Sequence, residues 1–178
     1  MTSKKKVVLN ADEIGRTLER MAMEINERHG DCSKVAILGI QRRGVDLAAR
    51  LRKALETRLN KEIPSGILDI NLYRDDWTSL EVQPQINKTE ILFDIDGKEI
   101  ILVDDVLFTG RTIRAALEAI LDFGRPRQVE LMVLVDRGHR ELPIQADYVG
   151  TTVETRRGEH VDVFLTERDG KEEVCLVD

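Results

Sequence analysis

KVAILGI at 34–40, IILV at 100–103 and LMVLV at 131–135 leave this chain few folds to choose from. A strand with one wet face alternates polar and apolar residues, and these runs do not alternate. Each therefore needs apolar cover on both sides, which a parallel sheet sandwiched between helices supplies. The helices are present in the pattern. Asn10 and Glu13 have capping-box spacing, Ile14, Leu18, Met21, Ala22 and Ile25 follow on one stripe, and Gly30 stops the run. VDLAARLRKALETRLN carries Ala48, Leu51, Leu55 and Leu59 at helical spacing, and Ile113, Ala116, Leu117, Ile120 and Leu121 do the same before Gly124 and Pro126. Strands alternating with helices predict an α/β fold.

SGILDINLYR (65–74) reads as a further strand, after which DDWTSLEVQPQINKTE loses periodicity and carries Pro84. A lid-like excursion over about 74–90 is expected there. From Ala146 onward only short strand-like runs remain, ADYVGTTV and VDVFLTE. No repeat or linker divides the 178 residues, so a single domain over 1–178 is predicted.

A formal net charge of −6 gives the chain no overall electrostatic attraction to nucleic acid, and any such role needs a local basic patch. No apolar run reaches signal-peptide or membrane-span length, so a cytoplasmic protein without membrane contact is expected. Cys32 and Cys175 have no second Cys or His at ligand spacing and read as reduced structural thiols.

The stretch with chemistry in it is ILVDDVLFTGRTI, residues 101–113. In an open parallel sheet, ligands bind beyond the carboxyl ends of the strands, which is where this run delivers Asp104 and Asp105. FTGRT then leads into a helix whose first N–H groups lack intrahelical partners. With the helix dipole and the hydroxyls of Thr109 and Thr112, they make a cradle for a monophosphate, and Gly110 lets the backbone approach the oxygens. Two carboxylates repel phosphate but suit sugar hydroxyls. A ribose 5-phosphate fits the whole string, whereas a lone Asp-Asp or Thr-Gly is more often an ordinary strand end or cap.

The string resembles the 5-phosphoribosyl 1-diphosphate (PRPP) signature of type I phosphoribosyltransferases. With LYRDD, GRP and VDRGHRELP (135–143), nearly the whole chain resembles the bifunctional pyrimidine-operon regulators that are also uracil phosphoribosyltransferases. This resemblance implies a central, mostly parallel sheet flanked by helices, with a small hood and a flexible lid loop. It implies conversion of uracil and PRPP to UMP and diphosphate with Mg2+, the metal carried by PRPP and not held directly by the protein. It also implies UMP- or UTP-responsive binding to pyrimidine-gene leader RNA, and a homodimer or higher homo-oligomer.

Residue by residue, Asp104 and Asp105 are expected to hold the ribose, and Val106, Leu107, Phe108, Thr109, Gly110, Arg111 and Thr112 the 5-phosphate. Arg42, Arg43 and Gly44, in GIQRRG, meet the diphosphate by resemblance. Arg74 is expected to close over it and exclude water, with Trp77 beside it. Asp136 and Arg137 are expected to line the uracil pocket, while His139 reads as a solvated loop residue. Arg28 and Arg140 fit an RNA-binding surface. Glu19, Met23, Gln145 and Thr151 stand where basic or small polar residues would serve RNA better, and Arg156 and Arg157 offer partial compensation. A salvage enzyme without RNA control, a sensor with little activity and a purine-specific transferase stay open as other readings.

Overall fold

The computed structural model describes residues 5–75 and 88–178. Five parallel strands form the central sheet in the order β3-β2-β4-β5-β6: β2 (Val35–Ile40), β3 (Ser65–Leu68), β4 (Glu99–Leu107), β5 (Gln128–Asp136) and β6 (Tyr148–Thr152). Helices α1 (Ala11–His29) and α2 (Arg43–Leu59) cover one face and α3 (Arg111–Leu121) the other. A three-stranded antiparallel hood, ordered β1-β8-β7, joins β1 (Lys5–Asn10), β7 (His160–Phe164) and β8 (Glu173–Val177). A short helix, α4 (Thr166–Asp169), turns the chain between β7 and β8.

The apolar runs are explained by the two faces. Along β4, Ile101 and Val103 enter the core beneath α1 and α2, while Ile100 and Leu102 enter the core beneath α3. β2 divides in the same way, Val35 and Ile37 to one side and Ala36, Leu38 and Ile40 to the other. α1 buries the predicted stripe of Ile14, Leu18, Met21, Ala22 and Ile25. At its start, Asn10 and Glu13 exchange both bonds of a capping box, at 3.0 and 2.8 Å.

Local structure departs from the sequence reading in four places. β4 runs on through both aspartates to Leu107, because β5 pairs with it that far, Leu107 opposite Asp136. β3 ends at Leu68, and Asn71–Tyr73 form a 3-10 turn instead of continuing the strand. Asp69 sets that turn, accepting from the Asn71 N–H at 2.9 Å. α2 begins at Arg43, ahead of its apolar periodicity. Strands β1 and β8, whose short apolar runs VVL and VCLV lie in a half-covered hood, were not read as strands. Of the expected lid, Arg74, Asp75 and residues 88–90 are described, whereas Trp77 and Pro84 lie outside the described residues.

The end of the sheet remote from the carboxyl termini of the strands is tied by a buried ion network. Both ring nitrogens of His29 lie 2.7 Å from carboxylate oxygens, Nδ1 from Glu99 and Nε2 from Glu130. Both bonds form together when each nitrogen carries a proton, since carboxylates only accept. Glu130 also accepts from the Tyr148 hydroxyl at 2.6 Å and pairs with Arg28 at 3.2 Å. One imidazole thus links the last turn of α1 to the first residues of β4 and β5.

Replacing His29 by Ala leaves Glu99 and Glu130 partnerless on one side in a poorly solvated place. The expected loss is about 3 kcal/mol of unfolding free energy, read by urea denaturation at neutral pH. A loss below about 1 kcal/mol, the size of a surface pair, would remove the network from the forces holding α1 to the sheet.

Candidate functional site

Three loops meet beyond the carboxyl ends of β2, β4 and β5. The first joins β2 to α2. Here the Gln41–Arg42 peptide is cis, Arg42 precedes the helix and Gly44 opens it. A Cβ on Gly44 would stand 2.5 Å from the Val103 carbonyl oxygen, so only glycine lets α2 start this close to β4. Arg43 leaves the same turn and donates to Asp169 at 2.9 Å.

β4 supplies the carboxylates. Asp104 is only 7% exposed. Its Oδ1 accepts from the Asp105 N–H at 2.9 Å, and Asp105 Oδ1 accepts from the Val106 N–H at 2.8 Å, so both side chains are pinned to the main chain. Burial drives the Asp104 carboxyl well above the usual carboxylate range, and the charge of Asp105 adds to this. Asp105 is raised by burial too, opposed by the Val106 N–H, the Asp104 side chain and the positive charge of Arg43. Two adjacent acids held in this state favour a ligand that brings positive charge or hydroxyl donors.

Next along the chain, Gly110 takes a φ of 92° and α3 begins at Arg111 without a side-chain cap. The Arg111 N–H reaches Thr109 Oγ1 at 3.3 Å. In front of this turn lies a cleft of about 340 Å³ lined by Arg74, Asp75, Thr109, Arg111 and Thr112. It joins the base of the expected lid to the predicted phosphate loop. Arg111 is drawn to its side by Asp75 and by Glu141, the latter at 2.8 Å. A Cβ on Gly110 would come within 3.0 Å of the Ile144 side chain, so this turn is also packed from behind.

The loop after β5 closes the third side. Asp136 accepts from the Gly138 N–H at 2.9 Å and from Arg140 at 2.5 Å. Arg140 also donates to the carbonyls of Phe108 and Ile144, both at 2.9 Å, and so braces this loop against the phosphate turn. Arg137 is 5% exposed, its guanidinium 3.8 Å from the centre of the Phe108 ring. Its Nη2 makes long contacts of 3.4 and 3.5 Å to the carbonyls of Arg156 and Arg157, and its Nε has no acceptor among the described residues. Burial lowers its proton affinity below the ordinary arginine range. A planar cation stacked on an aromatic ring and short of acceptors suits a flat, acceptor-rich ligand. His139 donates from Nε2 to the Thr155 carbonyl at 2.6 Å and stands edge-on to Phe108.

The predicted residues Arg42, Arg43, Gly44, Asp104–Thr112, Asp136 and Arg137 therefore gather at one end of the sheet, with Arg74 at its edge. Arg28 and Arg140 do not gather. Arg28 pairs with Glu130 and Asp147 near the start of β5, while Arg140 follows its end. Arg156 and Arg157 are exposed beside the Arg137 loop. Sequence reasoning passed over Ile144, Thr155 and Asp169, which carry no motif and reach the site only through folding. Among the described residues no group of three or more His, Cys, Asp or Glu side chains is arranged to hold a metal ion. Nor is any described helix long and apolar enough to cross a membrane.

Comparison with known proteins gives concordant findings. A family model described as the phosphoribosyl transferase domain matches residues 6–168. The chain is 51% identical over 178 residues to a bifunctional protein PyrR from Pelotomaculum thermopropionicum, covering 100% of this chain and 98% of that protein. With a bifunctional protein PyrR from Thermus thermophilus it shares 52% identity over 169 residues, covering 95% and 93% respectively. Among solved structures, a hypoxanthine-guanine phosphoribosyltransferase from Bacillus anthracis superposes with a TM-score of 0.72 at 14% identity, covering 98% of each chain. A hypoxanthine phosphoribosyl transferase from Trypanosoma cruzi gives 0.75 at 16% identity, covering 100% of this chain and 93% of that one. At such identities the structural likeness concerns the fold alone.

The raised carboxyl of Asp104 has a thermodynamic consequence. In the unfolded chain an aspartate loses its proton near pH 4, whereas the folded protein holds this one to higher pH. Its stabilising contribution is complete below the unfolded value and is lost as pH rises toward the folded one. Asp104→Asn should therefore melt several degrees above the parent at pH 7.5, with the gap closing toward pH 4. Equal midpoints at pH 7.5 would mean that the carboxylate is ionised in the folded protein at no cost.

Proposed function

Because the chain belongs to the phosphoribosyl transferase family, and within it to the group of bifunctional PyrR proteins, we propose that it converts uracil and PRPP to UMP and diphosphate. We propose also that it regulates pyrimidine genes by binding their leader RNA in response to UMP or UTP. Its fold is that of the type I phosphoribosyltransferases, and it is an enzyme of that class. The observation that carries the reading is the junction of β4 and α3, where buried Asp104 and half-buried Asp105 end the strand and a short turn leads to an uncapped helix start. Relatives of this length and identity are bifunctional by name, which favours the dual role over salvage alone.

In the reaction, uracil N1 bonds to C1 of the ribose as the C1–O bond to diphosphate breaks, and the N1 proton is lost. Positive charge builds on the sugar while negative charge builds on the leaving group, so fixed charges and dipoles contribute most. Asp104 and Asp105 hold the ribose hydroxyls, with their pinned side chains already oriented. Residues Val106 to Thr112 take the 5-phosphate at the start of α3. For that, Arg111 keeps Glu141 and Asp75 as counter-ions or exchanges them for phosphate oxygens. Arg42, Arg43 and the Gly44 turn face the diphosphate, and Arg74 covers it. Mg2+ carried with PRPP would neutralise charge on the leaving diphosphate, with Asp104 and Asp105 the carboxylates that would face it. The aspartate pair, Asp104 buried and Asp105 half-buried with the Arg43 charge acting on it, suits a substrate that carries a cation.

Uracil occupies the side closed by Arg137 and Phe108. Asp136 acts there through the bonds that set the 136–138 backbone and Arg140. For RNA, exposed Arg156 and Arg157 add to the predicted Arg28 and Arg140, of which Arg140 is largely committed to the loop brace. Phosphate contacts of this kind make affinity salt-dependent, and unpaired loop bases supply preference. The protein acts in the cytoplasm as a homodimer or higher homo-oligomer.

Purified protein with PRPP, Mg2+ and a panel of bases should form UMP from uracil and no purine nucleotide. Asp104→Asn combined with Asp105→Asn should cut turnover by about a hundredfold or more while the protein stays folded by circular dichroism. Undiminished turnover would sink the ribose assignment. A hairpin from the protein's own pyrimidine-gene leader should bind more tightly with UMP than without it. Binding no better than to scrambled RNA would leave a salvage enzyme.

A further inference from the structure

One stripe of α2 is clamped to the hood by three sets of ion pairs. Arg43 meets Asp169 at 2.9 Å, Asp46 meets Arg168, and Arg50 meets Glu167 at 2.7 Å and Glu172 at 2.6 Å. Positions 43, 46 and 50 share a helix face, so the turn from Leu165 to Glu172 lies along it. The last two sets lie further along α2. The first lies at its start, where Arg43 sits in the turn that Gly44 packs against Val103 and Asp104, and its charge acts on Asp105.

Asp169 is itself held rigidly. Its Oδ2 accepts from the Leu165 N–H at 2.9 Å and its own N–H donates to the Leu165 carbonyl at 2.8 Å, leaving Oδ1 for Arg43. Arg43 is therefore gripped by one Nη, while its Nε is buried with no acceptor among the described residues. A guanidinium fixed at one corner with a dry donor left over is set for an incoming acceptor.

We propose that Asp169 is a positioning residue for the transfer reaction, holding the Arg43 guanidinium beside the aspartate pair so that its remaining donors meet the diphosphate of PRPP. The proposal rests on the phosphoribosyltransferase reading above. It sets two effects of one carboxylate against each other. As a mere counter-ion Asp169 would weaken binding of a polyanion, and removing its charge would lower the KM for PRPP. As a positioning group it strengthens that binding, and removing it raises the KM.

The test is steady-state kinetics with both substrates varied, alongside calorimetric PRPP binding, on the full-length parent, Asp169→Asn, Asp169→Glu and Asp46→Asn. Asn keeps an acceptor for the Leu165 N–H but loses the charge-assisted bond. Asp169→Asn should raise the KM for PRPP and weaken its binding about tenfold, with kcat and the KM for uracil changed less than about threefold. Asp169→Glu should restore most of the loss. Asp46→Asn breaks the neighbouring clamp and should leave the kinetics unchanged. An unaltered or lowered PRPP KM in Asp169→Asn overturns the proposal, as does an equal effect from Asp46→Asn. A parent that binds PRPP but makes no UMP would instead overturn the activity, with the Asp169 effect still readable in binding.

Discussion

Much at the site follows from β4 being buried on both faces as far as Asp104. Flanked by β2 and β5 and sandwiched between helices, this strand admits only apolar side chains along most of its length, then carries two carboxylates into a place where water cannot solvate both. Desolvation costs are what make the adjacent acids receptive. An exposed Asp-Asp pair would be content with water and would hold a sugar weakly. The same burial explains why each carboxylate is bonded to the next main-chain N–H, since few other donors reach it.

The two ends of the sheet treat charge in opposite ways. Near the strand starts, His29, Glu99, Glu130 and Tyr148 satisfy one another, with only Arg28 at the edge left half exposed. Near the strand ends, the Nε groups of Arg43 and Arg137 are buried without partners among the described residues, and Asp104 and Asp105 repel each other. Satisfied buried networks hold structure, whereas unsatisfied ones await something. That contrast locates the working face of the sheet without reference to any motif.

How much was legible in the chain depended on whether a residue's role was local. The central strands could be read because burial on both faces abolishes alternation, and α1 because its cap and stripe are both encoded within twenty residues. Asp104 to Thr112 could be read because a strand end, a glycine turn and a helix start must be contiguous to make a cradle. Of the hood strands only β7 was read, in VDVFLTE; β1 and β8 were not, being half covered and held by partners far along the chain. Arg140 looked like a surface arginine because its acceptors, the carbonyls of Phe108 and Ile144, are main-chain atoms that no side-chain pattern reports. Asp169 was passed over because its partner Arg43 is 126 positions away along the chain.

The hood also separates two kinds of completeness. Lys5 pairs opposite Val177, and the turn that grips Arg43 lies between the last two strands of the chain. During synthesis, every residue of the phosphate cradle has left the ribosome well before Leu165 is added. A chain interrupted between those points has the whole recognisable signature and none of the clasp on Arg43. The motif most diagnostic of the chemistry is thus finished early, and the last strands to be made complete the geometry around it.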